Sequence, residues 1–341
     1  LPAGRAVEDK GIILLSMQGR TAMQKPFRGT YTVLITPFTP PAFPGDGGAV
    51  DLPALRRLVE FQIAEGIDGL IPLGSTGEFL SVSREERTAI TETVVKTAAE
   101  ASARHGRDVP VLIGTGAEDT REVVALSREA EALGADGVMI IPPFYSVPTE
   151  DELYHHYKTA ADAIGLPIMV YNNPATANVD MGAATLARLS TIPNCKYVKE
   201  STLEVTRVRD IIAAVDGRME VFAGVLGYES AWLGAIGWVA VCSNVLPRLS
   251  REMFAAAAFE ANRDKALPLY RRLAPLLPWV GGPRYVAGTK AAFRLLGMEM
   301  GDPRPPRLPL PEADWPALAQ VLQAIGPEWT GAMPATRAAA E

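Results

Sequence analysis

The chain has 341 residues, 48% hydrophobic and 21% charged, with 33 basic against 39 acidic side chains and a formal net charge of −6. That is the composition of an ordinary globular protein with ample core, and the acidic balance, with no cluster of Lys and Arg interleaved with aromatics, argues against a nucleic-acid surface. No apolar run approaches the roughly 20 residues that span a bilayer, which argues against a membrane role. The only cysteines, Cys195 and Cys242, sit in apolar strand-like runs, so buried free thiols in a reducing cytoplasm are expected rather than a disulfide framework.

Leu1 to Phe27 holds one short apolar patch, Ile12-Ile13-Leu14-Leu15, poorly placed for a secretory signal. With Met17 and Met23 further in, residues 1–26 read as a tail, a tag or a mis-assigned start. From Thr30 onward, β-rich runs alternate with helical patterns. The expected strands are Thr32–Thr36, Gly69–Leu73, Val109–Gly114, Gly137–Ile141, Pro167–Tyr171, Cys195–Lys199, Glu220–Ala223 and Trp238–Ser243. Between them apolar residues recur at helical spacing, as in Leu55, Leu58, Val59 and Ile63. Ser83 before Glu85 and Glu86, and Thr149 before Glu150, Asp151 and Glu152, mark helix starts of the capping-box kind.

Eight strands with intervening helices imply parallel pairing, because parallel neighbours need a crossover. An α/β fold follows: a (β/α)8 TIM barrel over residues 27–263, with an open doubly wound sheet as the alternative. More helix follows than one unit needs, at Pro247–Arg263, Leu267–Leu277, Tyr285–Leu296 and Pro311–Ile325. The Pro-rich run Gly301–Arg307 interrupts it as a stiff linker. Residues 264–329 are thus expected to form a small C-terminal helical extension, packed on the barrel or building an oligomer interface, with a tail over 330–341.

In such a barrel the chemistry lies at the C-terminal strand ends. Lysine is depleted from strands, yet Lys199 ends the run Cys195-Lys196-Tyr197-Val198-Lys199. Two-residue alternation puts it on the face of Cys195 and Tyr197, opposite Lys196 and Val198. A desolvated amine there is a usable nucleophile towards carbonyls, although a snorkelling strand-end lysine accounts for the run taken alone. Three more polar runs fall at strand ends: Gly74-Ser75-Thr76-Gly77-Glu78, Pro142-Pro143-Phe144-Tyr145 and Tyr171-Asn172-Asn173-Pro174. The first is either a tight loop or a nest whose N–H groups and Ser75 and Thr76 hydroxyls bind a carboxylate. It lacks the Gly-Lys-Ser/Thr ending of a phosphate loop. Tyr171 is either a core tyrosine or a phenol moving protons beside Lys199. Tyr145 alone reads as packing, and His155-His156 as a solvated helix face rather than a metal site.

The Gly74–Glu78 run, Tyr171-Asn172-x-Pro174 and Val198-Lys199-Glu200-Ser201 occur in the order and spacing of one family. Over roughly Phe27 to Leu310 the chain resembles the dihydrodipicolinate synthase/N-acetylneuraminate lyase family of Schiff-base lyases. The resemblance implies a barrel that is usually a homotetramer, or here a homodimer, without metal or cofactor. It implies that Lys199 forms an imine with pyruvate or another 2-oxo acid and that Tyr171 shuttles protons. Thr76 would link Tyr171 to a tyrosine reaching across a subunit interface, matched by Tyr145. Ser75 and Thr76 would hold the carboxylate, and Val239 would line the pocket.

One departure stands out. Dihydrodipicolinate synthases place an arginine shortly after the Tyr-Asn-x-Pro turn, where this chain has Thr176, which cannot supply a bidentate clamp. Aldol cleavage, condensation or dehydration of a hydroxylated 2-oxo acid is therefore expected ahead of true 4-hydroxy-tetrahydrodipicolinate synthesis, unless Arg248 or Arg284 restores the clamp. A metal-dependent class II aldolase would need His, Asp or Glu clusters at strand ends, which the sequence lacks. A catalytically silent 2-oxo acid or sugar-acid binding protein is the reading of another class.

Overall fold

The computed structural model describes residues 26–43 and 45–331. The tail expected over residues 1–26, Pro26 apart, lies outside the described residues, as does the second tail beyond Gly331. Eight strands are described: β1 (Gly29–Val33), β2 (Gly69–Ile71), β3 (Leu112–Gly114), β4 (Gly137–Ile140), β5 (Ile168–Asn172), β6 (Cys195–Glu200), β7 (Glu220–Ala223) and β8 (Gly237–Ala240). They pair in the order β2-β1-β8-β7-β6-β5-β4-β3, every pair parallel. A parallel bridge between Leu70 and Val111 joins the two ends, so the sheet is a closed (β/α)8 barrel and not an open doubly wound one.

The helices around it are α1 (Leu52–Ala64), α2 (Arg84–His105), α3 (Thr120–Ala132), α4 (Glu150–Ala163), α5 (Pro174–Ala177), α6 (Ala183–Leu189), α7 (Thr206–Val215), α8 (Gly227–Trp232) and α9 (Pro247–Ala258). Then come α10 (Arg263–Leu273), α11 (Leu277–Gly281), α12 (Tyr285–Leu295), α13 (Trp315–Ile325) and α14 (Pro327–Thr330). Both expected capping boxes form: Ser83 with Glu86 starts α2, and Thr149 with Glu152 starts α4. None of the described helices is long and apolar enough to cross a membrane.

Two apolar layers follow from strand alternation. The outer one packs strand residues such as Val138, Val170 and Val198 against the helices, and the inner one fills the barrel with Val33, Met139, Met169 and Val239. Aromatics close the N-terminal end: Phe27 stacks on Tyr197 at 4.9 Å, and Phe222 meets the Tyr31 and Tyr197 rings edge-on. The Phe27 N–H donates to the Tyr197 hydroxyl at 3.0 Å, fixing this plug.

Several expectations are corrected. Cys195 does not share the Lys199 face: it is buried in the outer layer with Val198 while Tyr197 points inward. The cause is a register shift in which Ile168 pairs with Cys195 but Met169 pairs with Tyr197, leaving exposed Lys196 as an extra residue that flips the alternation. Strand β1 begins three residues earlier than expected, and Leu34 and Ile35 continue past it into the outer layer. The helix expected over Pro247–Arg263 ends at Ala258, because Ala261 takes a positive φ of 48° and Asn262 caps α10 by accepting from the Lys265 N–H at 3.0 Å. His156 is buried, not solvated. Its Nδ1 bonds to Thr120 Oγ1 at 2.8 Å, and burial pushes its imidazole down to about 4.

Candidate active site

Lys199 and Tyr171 are register partners at the C-terminal ends of β6 and β5. Each is 5% exposed, and Lys199 Nζ lies 3.8 Å from the centroid of the Tyr171 ring. Tyr171 Oη accepts from Asn173 Nδ2 at 2.8 Å. Burial alone pushes the Tyr171 phenol up. The Lys199 charge and the Asn173 hydrogen bond, with Lys199 and Ser201 adjoining, outweigh it, so the phenol sits below its ordinary value. A second phenol in the cavity, Tyr285, goes the other way: burial pushes it up to about 12. The two phenols are thus held apart in acidity, with Tyr171 the more acidic.

Both groups open into a cavity of about 670 Å³ that also includes Ser75, Thr76, Asn173, Thr176 and Ser201 in its lining. The Gly74–Glu78 turn leaves β2 through two strained residues, Leu73 at φ 59° and Glu78 at φ 55°. The Gly77 and Glu78 amides bond back to the Gly74 and Ser75 carbonyls, so the donors this turn offers a carboxylate are Ser75 and Thr76. Thr76 is buried and shares the cavity with Tyr171, but among the described residues no hydrogen bond joins the two. Gly224, after β7, admits Ser201 to the site: a Cβ there would lie 1.8 Å from Ser201 Oγ.

Below the turn, Glu78 and Lys290 of α12 form an ion pair at 2.9 Å, with side chains 0% and 3% exposed. Burial pulls the Lys290 ammonium down to about 8 against the pull of Glu78. The other Glu78 oxygen accepts from the Arg304 N–H at 2.9 Å, and the Arg304 guanidinium bonds to Glu86, Ser81 and Gly48. The linker Gly301–Arg307 and the C-terminal extension thus hold the polar turn. Neither Arg304 nor Lys290 was legible as a support, because a basic residue in a Pro-rich loop or a helix carries no such signature. Asn172 was also missed. It is fully buried and bonds Asp180, Glu200 and the Met181 amide, which fixes the ends of β5 and β6 behind Tyr171 and Lys199. Asn173, its neighbour, was visible only as part of a turn.

The remaining expected residues, Thr176 excepted, lie apart. Tyr145 is 86% exposed. Its loop is pinned from below by Glu118, whose carboxylate accepts from the Phe144, Tyr145 and Ser146 amides and the Ser146 hydroxyl. Val239 sits in the barrel interior one layer deeper, and the cavity is lined by Trp238 and Val241 instead. Arg248 pairs with Glu65 at 3.3 Å and Arg284 with Asp314 at 3.2 Å, both outside the cavity lining. Thr176, on α5, is exposed and lines the cavity. Among the described residues no group of three His, Cys, Asp or Glu is placed to hold a metal ion.

Residues 26–325 match the model of the dihydrodipicolinate synthetase family. The chain is 36% identical over 303 residues to a 4-hydroxy-tetrahydrodipicolinate synthase of Acidiphilium cryptum, covering 88% of this chain and 99% of that protein. With the enzyme of the same name from Sorangium cellulosum it shares 38% over 308 residues, 89% of this chain and 97% of that protein. Among solved structures it is similar to the chloride-inhibited dihydrodipicolinate synthase of Acinetobacter baumannii complexed with pyruvate. There the TM-score is 0.79 at 32% identity, covering 88% of this chain and 99% of that one. It is also similar to a prophage protein of the same family from E. coli in complex with pyruvate, with TM-score 0.78 and 30% identity over 88% of this chain and 98% of that one. A family match across nearly the whole barrel, on relatives aligned over almost their full length, agrees with the lysine, tyrosine and polar turn at its strand ends: the chain belongs to the dihydrodipicolinate synthetase family, and it is an enzyme of the lyase type.

Proposed function

We propose that the protein is a class I Schiff-base lyase acting on pyruvate or another 2-oxo acid. The observation that carries this reading is the buried amine of Lys199, held in register against Tyr171 and facing the Ser75–Thr76 turn across one cavity. The Lys199 amine adds to the ketone carbon, water leaves, and a cationic imine forms. Loss of a proton from the neighbouring carbon gives an enamine, because the imine nitrogen accepts the electron pair. Tyr171 moves the protons, and Ser75 and Thr76 hold the carboxylate through their hydroxyl and amide donors.

That no arginine among the described residues lines the cavity favours aldol cleavage, condensation or dehydration of a hydroxylated 2-oxo acid over true 4-hydroxy-tetrahydrodipicolinate synthesis. Tyr145, exposed at the tip of its pinned loop, is proposed to complete the proton path of a neighbouring subunit in a homodimer or homotetramer. Two buried free cysteines support a cytoplasmic setting.

Borohydride trapping with pyruvate tests the reading. Inactivation should advance in step with a mass increase that maps to Lys199. A label on exposed Lys196 or on paired Lys290 would refute the assignment, and the absence of any label would leave a binding protein in its place.

A further inference from the structure

The cavity is far larger than a three-carbon 2-oxo acid requires. At about 670 Å³ it lies within the roughly 300–1,000 Å³ typical of pockets for drug-sized ligands. Beyond Lys199 it runs outward between the loops after β7 and β8 and the helices of the C-terminal extension. There its wall is apolar, formed by Met253, Leu273, Leu277, Val280 and Trp238. Among the described residues, two charged side chains line the cavity, Lys199 and Glu229. The first is the proposed imine former. The second is a carboxylate that accepts from the Tyr270 hydroxyl at 2.8 Å, and Tyr270 in turn stacks on Tyr228 with ring centroids 4.4 Å apart.

An anionic aldehyde would enter this chamber without a cation to receive it and with Glu229 to repel it. Arg307, the cation next to the lining phenol Tyr285, is not itself part of the lining. A polyhydroxylated aldehyde would leave its hydroxyls against aliphatic carbon. One lining group does ask for a partner: the indole Nε1 of Trp238, a residue 3% exposed, is buried without an acceptor among the described residues. Gly227 packs flat on that indole, where a Cβ would lie 2.3 Å from the ring.

We infer that the second substrate of this enzyme is an aromatic aldehyde, whose ring occupies the apolar chamber beside Trp238 and the C-terminal helices. The inference rests on the Schiff-base reading above and narrows it. The enamine carbon forms a carbon–carbon bond to the aldehyde carbon. The aldehyde oxygen takes up a proton, equivalent to the one lost when the enamine formed, and becomes a hydroxyl. Water then adds to the imine and releases a 4-aryl-4-hydroxy-2-oxobutanoate, restoring the Lys199 amine. Run in reverse, the same steps cleave that acid.

The test measures kcat/KM for the aldehyde at saturating pyruvate on the wild-type enzyme. Benzaldehyde and 2-hydroxybenzaldehyde are compared with succinic semialdehyde, aspartate semialdehyde and glyceraldehyde. The aromatic aldehydes should lead by roughly ten- to a hundredfold, the range that apolar contacts in a pocket provide. Parity, or a lead by any polar aldehyde, overturns the inference. Borohydride labelling with pyruvate alone, run in parallel, separates the two claims. A label without aromatic preference sinks the chamber and spares the lyase, whereas no label sinks both. A Leu277→Trp variant, at a half-buried wall position, should lose about tenfold in aromatic turnover by filling the chamber. Unchanged aromatic turnover in that variant also counts against the inference, and the wild-type panel decides the matter if the variant does not fold.

Discussion

Tyr171 and Lys199 face one another across two parallel strands, register partners whose ammonium and ring centroid lie 3.8 Å apart. The pairing puts a cation against an aromatic face between two buried residues, where it counts for more than at a surface. The same cation favours the ionised form of the phenol and so holds Tyr171 below its ordinary value. Neither residue needs a flexible loop to meet the other.

Replacing the phenol while keeping the ring isolates its proton chemistry. Tyr171→Phe should retain the packing and the stability of the barrel while losing roughly 10²–10⁴-fold in kcat. Steady-state kinetics and thermal melts on one preparation check both halves of this expectation. A loss under tenfold would show that the proton travels by another route.

Lys199→Ala removes the proposed nucleophile, so turnover should fall by several orders of magnitude with the fold intact. The borohydride label should disappear along with it. Persistence of the label in this variant would point to a different amine.

In the proposed reaction Asn173 acts through Tyr171. Its Nδ2–H donates to the phenol oxygen, which favours the charged form and holds the phenol's acidity below its ordinary value. Removing that bond raises the value, so the base form appears only at higher pH. In Asn173→Ala the acid limb of the kcat profile should therefore move to higher pH, with less loss at alkaline pH than at neutral. A uniform loss at every pH would mean that Asn173 only shapes the turn.

The Glu78–Lys290 pair ties the Gly74–Glu78 turn to the C-terminal extension. Lys290→Met leaves the Glu78 carboxylate buried without its partner and should cost about 3–5 kcal/mol of stability. The double change Glu78→Gln with Lys290→Met removes both charges and should recover most of that loss. Denaturant titration of the two singles and the double closes the cycle. Additive losses would show that the pair is not coupled.

The barrel was legible because eight apolar runs alternating with amphipathic helices leave few other arrangements. Lys199, Tyr171 and the Ser75–Thr76 turn were legible because polar residues at such strand ends break a strong apolar pattern. Cys195 was misplaced because a single bulged residue, Lys196, inverts the alternation, and composition does not announce bulges. His156 was read as solvated because its neighbour His155 is, although adjacent helix positions point about a quarter-turn apart and His156 falls on the buried side. The cavity walls were not legible at all. Met253, Leu273 and Leu277 read as ordinary amphipathic helix and Val280 fell between two expected helices, and only the tertiary packing of α9 to α11 over the strand ends turns them toward the site.

Thr176 gives the sharpest handle on specificity. It is exposed on α5 and lines the cavity, so a longer side chain can extend toward solvent or cavity. Thr176→Arg places a guanidinium where the wild-type lining holds no arginine. A charge-assisted bond to a substrate carboxylate contributes about 1.5–3 kcal/mol, or roughly one to two decades. The variant should therefore gain about that much in kcat/KM for aspartate semialdehyde relative to the wild type, and lose on uncharged aldehydes. A gain of activity cannot arise from misfolding, which makes the direction of the change informative. If the wild type already turns over the semialdehyde in preference to every uncharged aldehyde, Thr176 is not what sets its specificity and the protein is a true synthase.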